Sequence, residues 1–146
     1  MDNAETIPGY KLYLDPRTGE RPPVAVTFLN LREDRSAFVN GVALPVSGSA
    51  LEALDRRERN YRRVDISDAV AAPAGATVWT YLGTAAARER FRAGLAEGRA
   101  VISRGYLDQV TEGFRGLGAE EWGRYVAHTD GPPCPVCELL RVEIPE

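Results

Sequence analysis

The hydrophobic pattern changes period part-way along the chain, and that change limits the folds open to it. In the first third, apolar residues come in short runs at 10–14, 24–31 and 38–46, rich in Val, Leu, Tyr and Phe. Runs of this composition bounded by Gly and Pro read as strands. Asp15-Pro16-Arg17-Thr18-Gly19 is a turn-forming cluster that closes the first of them. Gly41 and Pro45 inside the third predict a bulge or a barrel bend. Strand character returns at 61–70, where Val64 and Ile66 alternate with Arg63 and Asp65, and again at 77–82. From residue 84 the spacing is helical. Thr84 is placed to cap a helix through Glu97, with Gly98 as its stop. Further helices are expected at 103–117, ended or interrupted near Gly113 and Gly116, and at 119–128, with Trp122, Tyr125 and Val126 on one side. Residues 139–144 read as a last strand. Strands first and helices later predict an α+β fold with an antiparallel or mixed sheet.

At 146 residues the chain has the length of one domain, and no repeat or linker divides it, so a single domain over 1–146 is expected. With 44% hydrophobic residues it has the material for a core, which argues against disorder. No run approaches the 18 or so consecutive apolar residues of a membrane span. Met1-Asp2-Asn3-Ala4-Glu5-Thr6 is acidic where a secretory signal is basic, so a cytoplasmic location is expected. The net charge of −3 argues against nucleic acid or an anionic membrane as the main partner.

Between the two halves lies the most specific stretch. Ser49-Ala50-Leu51-Glu52 matches a capping box, predicting a helix that starts there. Leu51, Leu54 and Glu58 follow at i, i+3 and i+7 on one helical face. Glu58 therefore either shares a buried stripe with two leucines or marks the end of the helix. A carboxyl on that face is desolvated, which raises its pKa toward the working pH. The alternative is a surface glutamate paired with Arg62 at i+4.

The segments Val39-Asn40-Gly41-Val42-Ala43-Leu44-Pro45-Val46, Leu51-Glu52-Ala53-Leu54-Asp55-Arg56-Arg57-Glu58-Arg59-Asn60-Tyr61 and Arg63-Val64-Asp65-Ile66 together resemble the γ-glutamylcyclotransferase-like superfamily (AIG2-like and ChaC-like proteins). Val78-Trp79-Thr80-Tyr81 is similar to that family's following strand. Ile102-Ser103, Tyr106-Leu107, Val110 and Gly113 are similar to a helix that carries a substrate-side tyrosine. The resemblance implies a small mixed or antiparallel β-barrel flanked by helices. It also implies a reaction without metal or cofactor, in which the α-amine of a γ-glutamyl group attacks its own γ-carbonyl. The products are 5-oxoproline and an amine or amino acid. The partner is then a small γ-glutamyl amide or peptide. A carboxylate that takes and returns one proton serves both steps, and the matching position is Glu58. Tyr106 is implied as a substrate contact. Tyr61, near the rim, and Tyr81, in a strand, are further candidates for substrate binding, with a purely structural role as the alternative for each.

The family begins with a strand and a Tyr-Gly-Ser loop whose backbone N–H groups hold the substrate carboxylate. This sequence supplies no such loop. Met1-Asp2-Asn3 aligns downstream of it, and Ser47-Gly48-Ser49 sits instead at the helix cap. The expectation is a barrel without its first strand, either because coding sequence continues upstream or because this is a shortened member. In the second case the protein is a non-catalytic, ligand-binding or structural relative.

The remaining candidates are weaker. Asp55 is expected to orient local backbone or pair with Arg59 at i+4. Arg56, Arg57, Arg59, Arg62 and Arg63 are diluted by Asp55, Glu58 and Asp65 and read as a solvated face more readily than as an anion site. Cys134 and Cys137 form a C-x-x-C, but with His128 they offer at most three of the four ligands zinc needs. They also lie in a proline-rich segment rather than at the start of a helix, where a redox dithiol belongs. Two cysteines are too few for a secreted disulfide framework.

Overall fold

The computed structural model describes residues 1–71 and 74–145. In chain order the elements are β1 (Lys11–Leu14), β2 (Ala25–Val26), α1 (Gly48–Arg57), β3 (Tyr61–Asp65), a 3-10 turn (Ser67–Ala69), β4 (Trp79–Gly83), α2 (Ala85–Ala96), β5 (Ala100–Ser103), α3 (Arg104–Gly116), α4 (Ala119–His128), β6 (Val136–Cys137) and β7 (Leu140–Glu143). The fold is mixed α+β, and among the described residues the strands form three separate small sheets, none closed into a barrel. They fall into two compact units. One comprises residues 1–28, 37–40 and 91–146, the other residues 29–36 and 41–90.

The first unit is built on a parallel sheet in the order β2-β5-β6, with Ala25 opposite Ala100 and Ile102 opposite Val136. Its central strand, β5, was not expected from the sequence. Ala100-Val101-Ile102 is an apolar run too short to be told from the helical pattern on either side of it. β6 was missed for the same reason, being two residues long. The core forms where β1, β2 and β5 meet. Tyr13, Val26 and Val101 are buried, and Met1, Val24, Phe28, Cys137 and Leu139 pack on them. β1 pairs antiparallel with β7, Lys11 opposite Glu143 and Leu14 opposite Leu140.

A polar side chain holds this core together. Asn3 is fully buried. Its Nδ2 donates to the carbonyls of Tyr13 at 2.8 Å and Pro22 at 3.0 Å, and its Oδ1 accepts from the Tyr13 N–H at 2.8 Å. Because Ile144 N–H bonds the Tyr10 carbonyl, the alternation of an antiparallel ladder turns the main-chain groups of Tyr13 away from β7. The Asn3 amide takes both, as a neighbouring strand would. The Asn3 N–H in turn bonds the Val24 carbonyl at 2.9 Å, so the segment ties β1 to the approach to β2.

Helix α2 begins and ends as the sequence predicts. Thr84 Oγ1 accepts from the Ala87 N–H at 3.1 Å. At the other end Gly98 takes φ 67°, Arg99 N–H reaches the Gly94 carbonyl at 2.8 Å and Gly98 N–H the Leu95 carbonyl at 3.1 Å. That paired closure needs the left-handed backbone that glycine adopts without penalty. α3 runs through Gly113 and stops at Gly116. In α4, Trp122 and Tyr125 stack at 5.5 Å, whereas Val126 is exposed.

In the second unit, β3 and β4 form an antiparallel hairpin with Tyr61 opposite Gly83 and Arg63 opposite Tyr81. β3 stops at Asp65, short of the expected residue 70. Asp65 Oδ1 accepts from the Ser67 N–H and hydroxyl at 2.9 and 2.6 Å, which turns the chain into the 3-10 turn. The expected strand at 38–46 is absent. Gly41 and Pro45 interrupt it, none of its residues joins a ladder, and Phe38, Val39, Val42, Leu44 and Val46 are exposed. The run at 24–31 likewise keeps only Ala25–Val26 as strand.

The cap of α1 also differs from expectation. The helix starts at Gly48, and Ser47, in extended backbone, accepts the Ala50 N–H on its hydroxyl at 3.2 Å. Ser49 lies inside the helix, its hydroxyl 3.1 Å from that of Ser47, so the box with Glu52 is not made. Ser47→Ala should therefore cost about 1 kcal/mol, and Ser49→Ala a few tenths at most. Urea melts of the two variants distinguish the serines; equal losses would contradict the assignment of Ser47.

Candidate functional site

Three of the four expected site residues, Glu58, Tyr61 and Tyr81, lie in the second unit. Tyr106, on α3, belongs to the first, where its ring meets Phe28 edge-on at 5.1 Å. The structure thus gathers the first three around one helix–turn–hairpin.

Glu58 is the residue on which α1 ends. Its N–H donates to the Leu54 carbonyl at 2.9 Å, and its own carbonyl accepts the Tyr61 N–H at 2.9 Å. The main chain of Glu58 is therefore fixed from both sides, by the helix it closes and by the strand that follows. Leu51 and Leu54 are half-buried, and the Glu58 side chain is 25% exposed. It is not a lone carboxylate on an apolar stripe. Arg57 donates from Nε at 3.0 Å and from Nη2 at 2.8 Å, both to Oε1. The expected alternative partner, Arg62, lies in β3 and is not used, because the helix has ended and i+4 geometry no longer applies. Among the described residues, Oε2 of Glu58 takes no hydrogen bond.

Beside it stands a second polar set. Tyr81 donates its hydroxyl to Asp55 Oδ1 at 2.7 Å. Asp55 Oδ2 is 3.2 Å from Arg63 Nη1, and the Arg63 guanidinium lies over the Trp79 ring at 4.8 Å. The pairing of Asp55 with Arg59 expected from helical spacing does not form, since Arg59 lies beyond the end of α1. Burial, then the hydrogen bond to Asp55 and its charge, push the Tyr81 phenol above the usual tyrosine range. Arg63 opposes the shift, and Glu58 adds to it. Tyr61 uses its hydroxyl differently, donating to the Leu29 carbonyl at 2.9 Å. That bond ties Leu29 to the hairpin.

Asp55 and Arg57 thus have specific partners that spacing alone did not give. The only sequence signal was that Arg63 and Tyr81 sit in two strand-like runs, and their register depends on a connection whose length pattern does not fix. Two of the five clustered arginines, Arg57 and Arg63, are engaged by carboxylates, which takes them out of an anion site. Among the described residues, no group of three or more His, Cys, Asp and Glu is placed to hold a metal ion. Cys134 Sγ is 3.6 Å from Thr27 Oγ1, Cys137 packs on the core, and His128 lies against Phe38 at 4.2 Å. No helix among the described residues is long and apolar enough to cross a membrane. The first unit holds a cleft of about 520 Å3 lined by Asp15, Pro22, Val101, Cys137 and Leu139 among others, and none of the four expected site residues lines it.

The fold and site define a mixed α+β protein with a glutamate pinned at a helix–hairpin junction, beside a tyrosine–aspartate–arginine set. The profile of the family described as gamma-glutamyl cyclotransferase, AIG2-like, matches residues 2–99, and the chain belongs to that family. The match takes in Asp55, Glu58, Tyr61, Arg63 and Tyr81, and Tyr106 lies beyond it. No curated protein and no solved structure gives a match.

Proposed function

We propose that the protein converts a small γ-glutamyl amide or peptide to 5-oxoproline and a free amine, with Glu58 as the group that moves the proton. The observation that carries this reading is the division of labour on one carboxylate. Oε1 is held by Arg57, the main chain is held on both sides, and among the described residues Oε2 is unengaged. Such a carboxylate is oriented and still has an oxygen to offer a substrate.

On this reading the substrate's α-ammonium gives a proton to Glu58 Oε2. The freed amine attacks the γ-carbonyl, forming the ring C–N bond. The tetrahedral intermediate collapses with cleavage of the original amide C–N bond, and the proton on Glu58 goes to the departing nitrogen. The carboxylate then takes the second proton from the ring nitrogen and passes it to the released amine, which leaves as an ammonium. No water is consumed, and the carboxylate ends as it began. Holding amine and carbonyl together in a folded substrate supplies several kcal/mol of the barrier reduction. The reaction requires no metal or organic cofactor, and the reading places it on small molecules of the cytoplasm.

A second reading, a non-catalytic relative that only binds a small ligand, is favoured by the two-bond grip of Arg57 on Glu58. Incubation with a panel of γ-glutamyl dipeptides and γ-glutamylamines, followed by assay of 5-oxoproline, separates the two. Product that disappears in Glu58→Gln supports the enzyme. Binding without product supports the relative.

A further inference from the structure

The Tyr81 hydroxyl has one hydrogen, and that hydrogen is committed. It points at Asp55 Oδ1 at 2.7 Å, while Arg63 holds the other Asp55 oxygen at 3.2 Å. Arg63 is itself held by stacking on Trp79 and sits opposite Tyr81 in the hairpin register. A phenol that donates its only proton has nothing left but lone pairs, so what it offers a ligand is an acceptor. An acceptor close to a carboxylate suits a group rich in N–H bonds and unsuited to an oxyanion.

We infer that Asp55 is a positioning residue: by taking the Tyr81 hydrogen it turns the Tyr81 oxygen into an acceptor for the substrate's α-ammonium beside Glu58. The inference rests on the reaction proposed above and names the end of the substrate that Tyr81 meets. Asp55 touches neither the substrate nor the proton that Glu58 moves; it accepts the hydrogen bond of the Tyr81 hydroxyl. It acts through Tyr81, and Arg63 keeps it in place. Without the carboxylate, the Tyr81 hydrogen is free to rotate toward the substrate. The phenol then faces the ammonium donor to donor for part of the time.

The groups that face Tyr81 are Asp55 and Glu58 at the end of α1 and Arg63 on β3. Removing the Asp55 charge should therefore shift its titration in a known direction. The Tyr81 transition is isolated as the difference in tyrosinate absorbance between the intact protein and Tyr81→Phe, at alkaline pH and with circular dichroism followed in the same samples. The same difference is taken between Asp55→Asn and Asp55→Asn/Tyr81→Phe. The expected result is a transition at lower pH when Asp55 is Asn. An unchanged transition would overturn the pairing.

Turnover supplies the second readout. Asp55→Ala, which leaves the Tyr81 hydroxyl no acceptor at that position, should lower kcat for 5-oxoproline release about tenfold in the natural background and have little further effect in Tyr81→Phe. Asp55→Glu should recover part of the loss. Equal losses in both backgrounds would show that Asp55 acts independently of Tyr81. A protein that makes no 5-oxoproline, yet shows the titration shift, overturns the reaction and leaves the Asp55–Tyr81 pair supported.

Discussion

Glu58→Gln should lower kcat for 5-oxoproline release by about 10²–10⁴-fold, the usual contribution of a positioned acid–base group. Gln is close in shape to Glu, and its carbonyl oxygen still accepts from Arg57, so the local hydrogen bonds to the guanidinium persist. The Leu54 and Tyr61 bonds to the main chain do not involve the side chain at all. What is lost is the capacity to take a proton from an ammonium and return it to a leaving nitrogen. The change should therefore fall on kcat, with KM altered far less. Steady-state kinetics with circular dichroism of both proteins is the measurement. A variant that retains its fold and more than half of the natural turnover would remove Glu58 from the chemistry.

The largest effect on stability is expected in the other unit. Asn3→Ala removes the partner of three main-chain groups: the Tyr13 N–H, the Tyr13 carbonyl and the Pro22 carbonyl. Each buried polar group left without a partner costs about 1–3 kcal/mol, and small voids also form. A loss of about 3–5 kcal/mol is expected, a large part of the 5–15 kcal/mol that holds a typical domain folded. Asn3→Asp should be no better. A carboxylate can accept from the Tyr13 N–H, but it meets the two carbonyls oxygen to oxygen. Urea denaturation gives the comparison. A loss under 1 kcal/mol for Asn3→Ala would mean that water replaces the amide and that the residue is not the organiser described here.

What the sequence disclosed and what it concealed follow from how each feature is encoded. The helices at 84–97, 103–117 and 119–128 were legible because their stops and starts are chemical: a threonine hydroxyl, Gly98, the glycines near 116. The strands β3 and β4 were legible, the first from the alternation of Val64 and Ile66 with Arg63 and Asp65 and the second as a short run at 77–82, but their pairing into a hairpin was not. β5 was hidden because four residues cannot show a period, although it is the middle strand of its sheet. Asn3 was hidden for a different reason. A polar residue near the start of a chain carries no mark of burial, and only the pairing of Tyr13 reveals what it satisfies. Ser47 and Ser49 both suit a helix cap, and Glu52 favoured Ser49 by the capping-box rule. The helix begins one residue after Ser47, which places Ala50, not Glu52, at the position that would complete the box.

The candidate site divides along the same line. The spacing of Leu51, Leu54 and Glu58 left two places open for Glu58, the leucine stripe or the end of α1, and the structure takes the second. Its partner could not be read, because Arg57 reaches it as a sequence neighbour rather than by helical spacing. The Asp55–Tyr81 bond joins residues 26 positions apart. It depends on the register of a hairpin whose connection the pattern does not fix. The run at 38–46 is the converse case, where local preference for strand was strong and no partner ladder was present to use it.

The two backbone bonds at Glu58 make its Cα a fulcrum that neither helix nor strand can shift without breaking. Whatever distance the carboxylate must cover is then set by the length of the lever and the rotation of its three side-chain torsions. Removing one methylene draws the acid back by about 1.5 Å, and the anchored backbone has no slack with which to follow. Aspartate at this position keeps the charge and forfeits the reach.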